Sequence, residues 1–348
     1  MEFLKKKFLR IAVDTMGGDF APLNEVQGAI LAYRNREPFT NFEIVLVGDE
    51  SKIREAIKNY NPKEFNYSIV HAEEIVTMHD DPTAVIKKKR NSSLYKGIKL
   101  LAENYVDAFV SAGNTGAVLS TATVLLGRIE GVSRPTIGSF FPTVAKLPTL
   151  LVDVGANIDA KPKYLYEFGL MGSIYYRSLL GIENPRVALL NIGEEETKGS
   201  EILLNTYKIF KESSLNFIGN VEGRDVLLGT AEVVVCDGLV GNIVLKFAES
   251  VLGLFKTKVR NYAKRSVINA LKILFLKPAL KNILKDMDYQ QYGGVPLLGV
   301  NGVVIIGHGK SSPIAIQNMI YTAIEMSKKE INKKIERALN PNFVDKQK

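Results

Sequence analysis

Short apolar runs alternate along this chain with segments whose apolar residues recur at helical spacing. The runs over 10–13, 42–47, 67–71, 106–110, 136–141, 149–154, 187–191, 216–218, 233–236 and 303–306 have the length and composition of buried strands. Helical spacing fills intervals over about 24–34, up to about 58, 117–126, 162–180, 200–212 and 313–338. The alternation predicts an α/β fold, a doubly wound and mainly parallel sheet covered by helices.

Polar, glycine-bearing loops follow the strands at 14–19, 111–116, 153–157, 191–199, 220–225 and 237–242. In an open parallel sheet such loops gather on the carboxyl edge, where ligands bind, so these six are expected to line one cleft. The centre of the pattern is 106–128, VDAFVSAGNTGAVLSTATVLLGR, which reads as strand, small-residue turn and helix. Gly113 and Gly116 allow close backbone approach, Asn114 and Thr115 offer side-chain donors, and the first helical turn favours negative charge. A phosphate or another oxyanion is the natural guest. A tight turn with glycines for steric reasons alone is the alternative.

The rhythm breaks at 243–286, one long helical stretch. Pro278 and the weak helix formers Ser266-Val267-Ile268-Asn269 predict breaks, hence a helical hairpin projecting from the sheet. From 250 to 285 the charged residues are Lys256, Lys258, Arg260, Lys264, Arg265, Lys272, Lys277, Lys281 and Lys285, without one Asp or Glu. Such a block seeks an acidic partner. Leu271 to Leu276 add apolar residues in a basic frame, the composition of an interfacial membrane helix and equally of a dimer interface. Without interleaved aromatics the block does not favour nucleic acid.

Length and composition change this picture little. The 348 residues carry a net charge of +8, with 46% hydrophobic and 24% charged residues, as expected of a folded chain. The single cysteine, Cys236, lies in an apolar run, which excludes a disulfide framework and fits a reducing cytoplasm. The N-terminal stretch lacks the apolar block of a signal peptide, and no stretch reads as a membrane span. Gly309-Lys310-Ser311 is not a P-loop, because the first glycine of that motif would fall at Val304. It is not a dinucleotide motif either, since Ser312 stands where the last glycine belongs. His71, His79, Asp80 and Asp81 lack ligand spacing, and no metal or cofactor is expected.

Taken in order, Asp14-Thr15-Met16-Gly17-Gly18-Asp19 with Pro22, the segments 111–117, 153–157, 191–199, 220–225 and 237–246, and 293–308 closely resemble the PlsX family of phosphate acyltransferases. The resemblance runs from about residue 11 to residue 327. It implies one acyltransferase domain over 1–348 with a fold like the isocitrate and isopropylmalate dehydrogenases and the phosphotransacetylases. It implies transfer of a fatty acyl group from acyl carrier protein to inorganic phosphate, giving acyl phosphate for phospholipid synthesis. A homodimer in the cytoplasm with peripheral membrane contact is implied as well. Thr15 replaces the family's usual alanine, Leu239 stands where an aromatic is common, and Lys87 stands where arginine is frequent. A lysine cannot make arginine's bidentate fork.

The chemistry accounts for the residue types. A thioester is already activated and phosphate is an adequate nucleophile, so the site must hold phosphate, neutralise an oxyanion and help a thiolate leave. The phosphate and substrate candidates are Asp14, Gly17, Gly18, Gly113, Asn114, Thr115, Gly116, Asp153 and Asn157. Lys198, His308, Asn242 and Asp237 are the catalytic candidates, with Lys198 and His308 placed to balance charge and protonate sulfur. Asp14, Asp153 and Asp237 are expected to orient donors. Arg260, Lys264 and Arg265 are assigned to the carrier protein, and Leu274 and Phe275 to the membrane. The rival readings are a phosphotransacetylase-like enzyme using an acyl-coenzyme A, a nicotinamide-dependent dehydrogenase and a basic scaffold without activity. A small coenzyme needs no basic apolar hairpin, and no G-x-G-x-x-G serves a dinucleotide.

Overall fold

The computed structural model describes residues 8–36, 41–58, 60–61, 65–285 and 293–340. The expected basic tail beyond 340, Tyr292 and the N-terminal residues 1–7 lie outside the described residues. The chain opens with β1 (Leu9–Asp14), α1 (Leu23–Arg34), β2 (Phe42–Gly48), α2 (Glu50–Ile57) and β3 (Tyr67–His71). Next come α3 (Pro82–Lys88), α4 (Ser93–Ala102), β4 (Ala108–Ser111), α5 (Thr115–Leu125), β5 (Thr136–Phe141) and β6 (Thr149–Val152). Then follow α6 (Pro162–Leu180), β7 (Val187–Leu190), α7 (Glu201–Glu212), β8 (Phe217–Val221), α8 (Gly223–Leu228) and β9 (Val233–Val235). The last part holds α9 (Gly238–Lys264), α10 (Val267–Lys285), β10 (Val295–Leu298), β11 (Val303–Ile306), α11 (Pro313–Lys328) and α12 (Ile331–Leu339).

Two compact units result. The first comprises Met1–Gly138, Ile174–Glu183 and Tyr292–Lys348, and the second Ser139–Ser173 and Asn184–Gln291. In the first, the strand order is β3-β2-β1-β4-β11-β10-β5. The first five of these run parallel, whereas β10 is antiparallel to both β11 and β5. The register sets Asp14 opposite Ser111 and Ser111 opposite Ile306, so three strands end at one level. In the second unit the order is β6-β9-β7-β8, all parallel.

Helices on the faces explain why the central strands are apolar throughout rather than alternating. Ile11, Ala12, Val13, Phe109, Val110, Val304 and Ile305 are buried in the first unit, as are Leu150, Leu151, Ala188, Leu189 and the Val233–Val235 run in the second. Each large apolar side chain among them contributes about 1.5–3 kcal/mol by leaving water. Many helices start on a capping side chain in the preceding loop. Asp49 caps α2, Asp81 α3, Ser92 α4, Asn114 α5, Ser200 α7, Asp237 α9 and Ser312 α11.

Several sequence expectations need correction. The stretch 293–302, read as a connector, contains the antiparallel strand β10. The single helix expected over 313–338 is two, because Glu330 adopts a left-handed φ of 49° and turns α12 so that Ile331 and Ile335 are buried. The break at 265–266 separates α9 from α10 as expected, yet Pro278 lies inside α10 and the helix continues through it on an exposed face. Finally, α9 is long and apolar enough to cross a membrane by length and composition, contrary to the reading that no stretch is. Its first turn is nonetheless packed into the second unit, where Gly238 and Gly241 are buried.

Candidate functional site

In the first unit the loops leaving β1, β4 and β11 are tied together. Asp14, 1% exposed, accepts the Ser111 hydroxyl at 2.7 Å and the Met16 amide at 3.1 Å. Gly113 in turn donates its amide to Ser111 Oγ at 3.0 Å. Burial pushes the Asp14 carboxyl above its usual range, partly offset by the hydroxyls of Ser93 and Ser111. Gly17 is obligatory here, since a Cβ would sit 2.6 Å from Asp14 Oδ2 and 2.9 Å from the Gly113 nitrogen. The loop after β11 is fastened across by Gly307 N–H to the Ser111 carbonyl, Asp19 N–H to the Gly309 carbonyl and Asn24 Nδ2 to the Ser311 carbonyl. Thr15, the departure from the family's alanine, donates its hydroxyl to the Val47 carbonyl at 2.8 Å and is absorbed in packing.

Asn114 serves the protein itself. Its Oδ1 caps α5 through the Ala117 amide, and its Nδ2 donates to the carbonyls of Thr77 and Asp80. The Thr77–Asp80 turn is closed by Asp80, which accepts from Lys89 and the Thr77 amide and is held down at about 2. What remains for an anion is the first turn of α5. The amides of Thr115 and Gly116 have no protein acceptor among the described residues, and the Thr115 side chain is exposed. His308 accepts the Lys310 amide on Nδ1 at 3.1 Å.

In the second unit Asp153 is fully buried, and it gathers four donors. Oδ1 accepts the amides of Gly155 and Ala156, and Oδ2 accepts the Asn157 amide and side chain, all at 2.8–3.0 Å. These donors pull its pKa down, but burial outweighs them and the net direction is upward. The amides of 155–157 and the Asn157 side chain therefore hold the loop around Asp153. Against this loop lies the start of α9. Gly238 donates to the Asn157 carbonyl at 2.7 Å, and a Cβ on Gly241 would lie 1.8 Å from the Asp153 carbonyl oxygen. Asp237 caps α9 through Val240 N–H, and Asn242 is exposed beside Gly155.

The loops after β7 and β8 form a second pair on the same edge of this unit. Asn191 donates to the Lys198 carbonyl and Asn220 to the Glu195 carbonyl. Lys198 is half-exposed, 3.8 Å from Glu195, while Glu194 pairs with Arg224 and Glu196 with Lys211. Each unit thus assembles its own loops at the carboxyl ends of its strands. Reasoning from sequence missed Ser93 and Ser111 as partners of Asp14, and it missed Glu25. The signal for Ser111 was its place at the end of a strand beside β1.

The phosphotransacetylase of Streptococcus pyogenes superposes with a TM-score of 0.61 at 14% identity, covering 92% of this chain and 94% of its own. In sequence, a family described as "Fatty acid synthesis protein" matches residues 9–334. The phosphate acyltransferase of Dictyoglomus turgidum is 47% identical over 333 residues, covering 95% of this chain and 98% of the relative. That of Aquifex aeolicus is 47% identical over 331 residues, at 94% and 96% coverage. The chain belongs to this phosphate acyltransferase family, the PlsX family that its motifs resemble. It is an acyltransferase, and its acceptor is phosphate.

Proposed function

We propose that this enzyme, as one domain over 1–348, takes its fatty acyl group from acyl carrier protein and delivers acyl phosphate to phospholipid synthesis. The observation that carries the reading is the α9–α10 hairpin. Lys256, Arg260 and Lys264 recur every fourth residue on one exposed face of α9, and Arg265 follows at its end. No acid lies between 250 and 285 to neutralise them. A small, acidic carrier is the partner this face suits. On α10, Leu271, Leu274 and Phe275 are 60%, 62% and 87% exposed, which suits an interfacial membrane contact or a second copy of the chain. A cytoplasmic homodimer resting on the membrane accommodates both.

In the reaction, a phosphate oxygen attacks the thioester carbonyl, the C–S bond breaks and the thiolate takes a proton. The α5 amides of Thr115 and Gly116 are assigned to hold the phosphate, with Gly17, Gly18 and Gly113 leaving room for it. Asp14 and Asp153 fix these loops. His308 and Lys198 are assigned to charge balance and to protonating sulfur. Asn242 is exposed at the start of α9 for the oxyanion, and Asp237 holds that start in place.

The test is incubation of the purified chain with radiolabelled phosphate and palmitoyl-carrier protein, with palmitoyl-coenzyme A in parallel and hydroxylamine to trap the product. Trapped product from the carrier thioester is expected. Product only from the coenzyme thioester would replace this donor by the phosphotransacetylase-like alternative.

A further inference from the structure

The first turn of α1 carries a carboxyl for which the chemistry above has no use. Glu25 is 1% exposed, and its Oε2 finds no hydrogen-bond partner among the described residues. It is pressed against the glycine turn, since a Cβ on Gly18 would sit 2.1 Å from Glu25 Oε1 and 3.3 Å from the Gly309 carbonyl oxygen. The charged groups acting on it are Asp14 from the end of β1 and Asp19 from the turn. The loop packed across the turn brings Gly309, with His308 and Lys310 on either side in sequence, and α11 beyond it opens with uncharged Ser312 and Pro313. Burial first, and then the two aspartates, push the Glu25 carboxyl up to about 7.

From this packing we infer that Glu25 is a positioning residue for the acceptor anion: as the neutral acid it underlies the Gly17-Gly18-Asp19 turn, and as a carboxylate it repels both the turn and a bound oxyanion. The inference rests on the phosphate reading and deepens it by coupling anion binding to a proton held on one side chain. Its basis is electrostatic. Asp14, Asp19 and an ionised Glu25 would surround the turn with negative charge where an anion must enter. By reciprocity, a bound oxyanion strengthens the hold of Glu25 on its proton.

Sulfate is the probe, because its charge does not change near neutrality whereas that of phosphate does. With only the neutral acid competent, raising the pH from about 6 to about 8 lowers the competent fraction about tenfold and raises the apparent Kd for sulfate by the same factor. Glu25→Gln, which cannot ionise, is expected to bind sulfate equally at both pH values. Glu25→Met, apolar and close in volume, gives the same readout should the amide variant fail to fold. A variant that keeps the wild-type pH dependence overturns the inference, as does a wild type whose sulfate affinity is flat.

Stability gives an independent readout. The folded-state pKa lies above the unfolded value, so the folded chain binds the extra proton and stability falls as pH rises from about 4.5 through about 7. The Tm of the variant is therefore expected to gain on that of the wild type from about pH 5 to about pH 8, and a constant gap sinks the proposal. Acyl phosphate formed without the Glu25-dependent difference refutes this inference alone. The difference without acyl phosphate refutes the donor and acceptor reading alone.

Discussion

The two ends of α9 have opposite surroundings. At its start, Gly238 and Gly241 are buried against the carbonyls of Asn157 and Asp153, and Asp237 closes the first turn. Toward its far end Leu254, Phe255 and Tyr262 are exposed at 59%, 44% and 40%, between basic residues in a stretch of sequence that holds no Asp or Glu. One helix therefore joins a fixed loop, in which polar groups are turned inward, to a basic and apolar face exposed to solvent. The difference separates two kinds of residue. Substitutions at the buried end are expected to act through fold and turnover, and, on the proposed function, those at the exposed end through partners.

The largest expected effect is at the buried end. Gly241→Ala places a methyl group on the Asp153 carbonyl and should cost about 3 kcal/mol in urea unfolding, with acyl transfer falling alongside. An unchanged midpoint would show that the α9 start is looser than described. Next comes reversal of Arg260, Lys264 and Arg265 to Glu, which is expected to raise the carrier KM at least about tenfold with kcat largely kept. A drop in kcat at constant KM would move these residues out of docking. The smallest effect on the fold is expected from Leu274→Gln with Phe275→Gln, within about 0.5 kcal/mol because both are exposed. The pair should nevertheless abolish sedimentation with anionic vesicles; unaltered sedimentation, joined by a change in oligomer size, assigns them to the dimer.

The parallel core was legible because every central strand is apolar on both faces and is followed by a polar turn. The antiparallel β10 was not. Pro296 and the flanking Gly293, Gly294 and Gly299 give it a loop's composition, and its pairing with β5 and β11 is a long-range fact that local pattern does not carry. Likewise, no glycine or proline marks the bend at Glu330; burial of Ile331 and Ile335 overrides local helix preference. In the candidate site, aspartates at strand ends were readable as groups that take loop hydrogen bonds, and Asp14 and Asp153 each accept several. The side chains of Asn114 and Asn157 looked like ligand donors, but residue type does not reveal whether an amide is already engaged by a cap or a neighbouring carboxylate. Glu25 was invisible for a similar reason, since an acid in the first turn of a helix is ordinary.

Cys236 directly follows β9 in the second unit. Its Sγ donates to the Asp153 carbonyl at 3.3 Å, the residue is 1% exposed, and burial drives the thiol well above its ordinary range. Being the lone cysteine, it is a built-in clock: an alkylating reagent can label it only when the strand ends under Asp153 part from one another. The rate of that labelling reads the breathing of this corner directly, in a chain that needs no engineered probe.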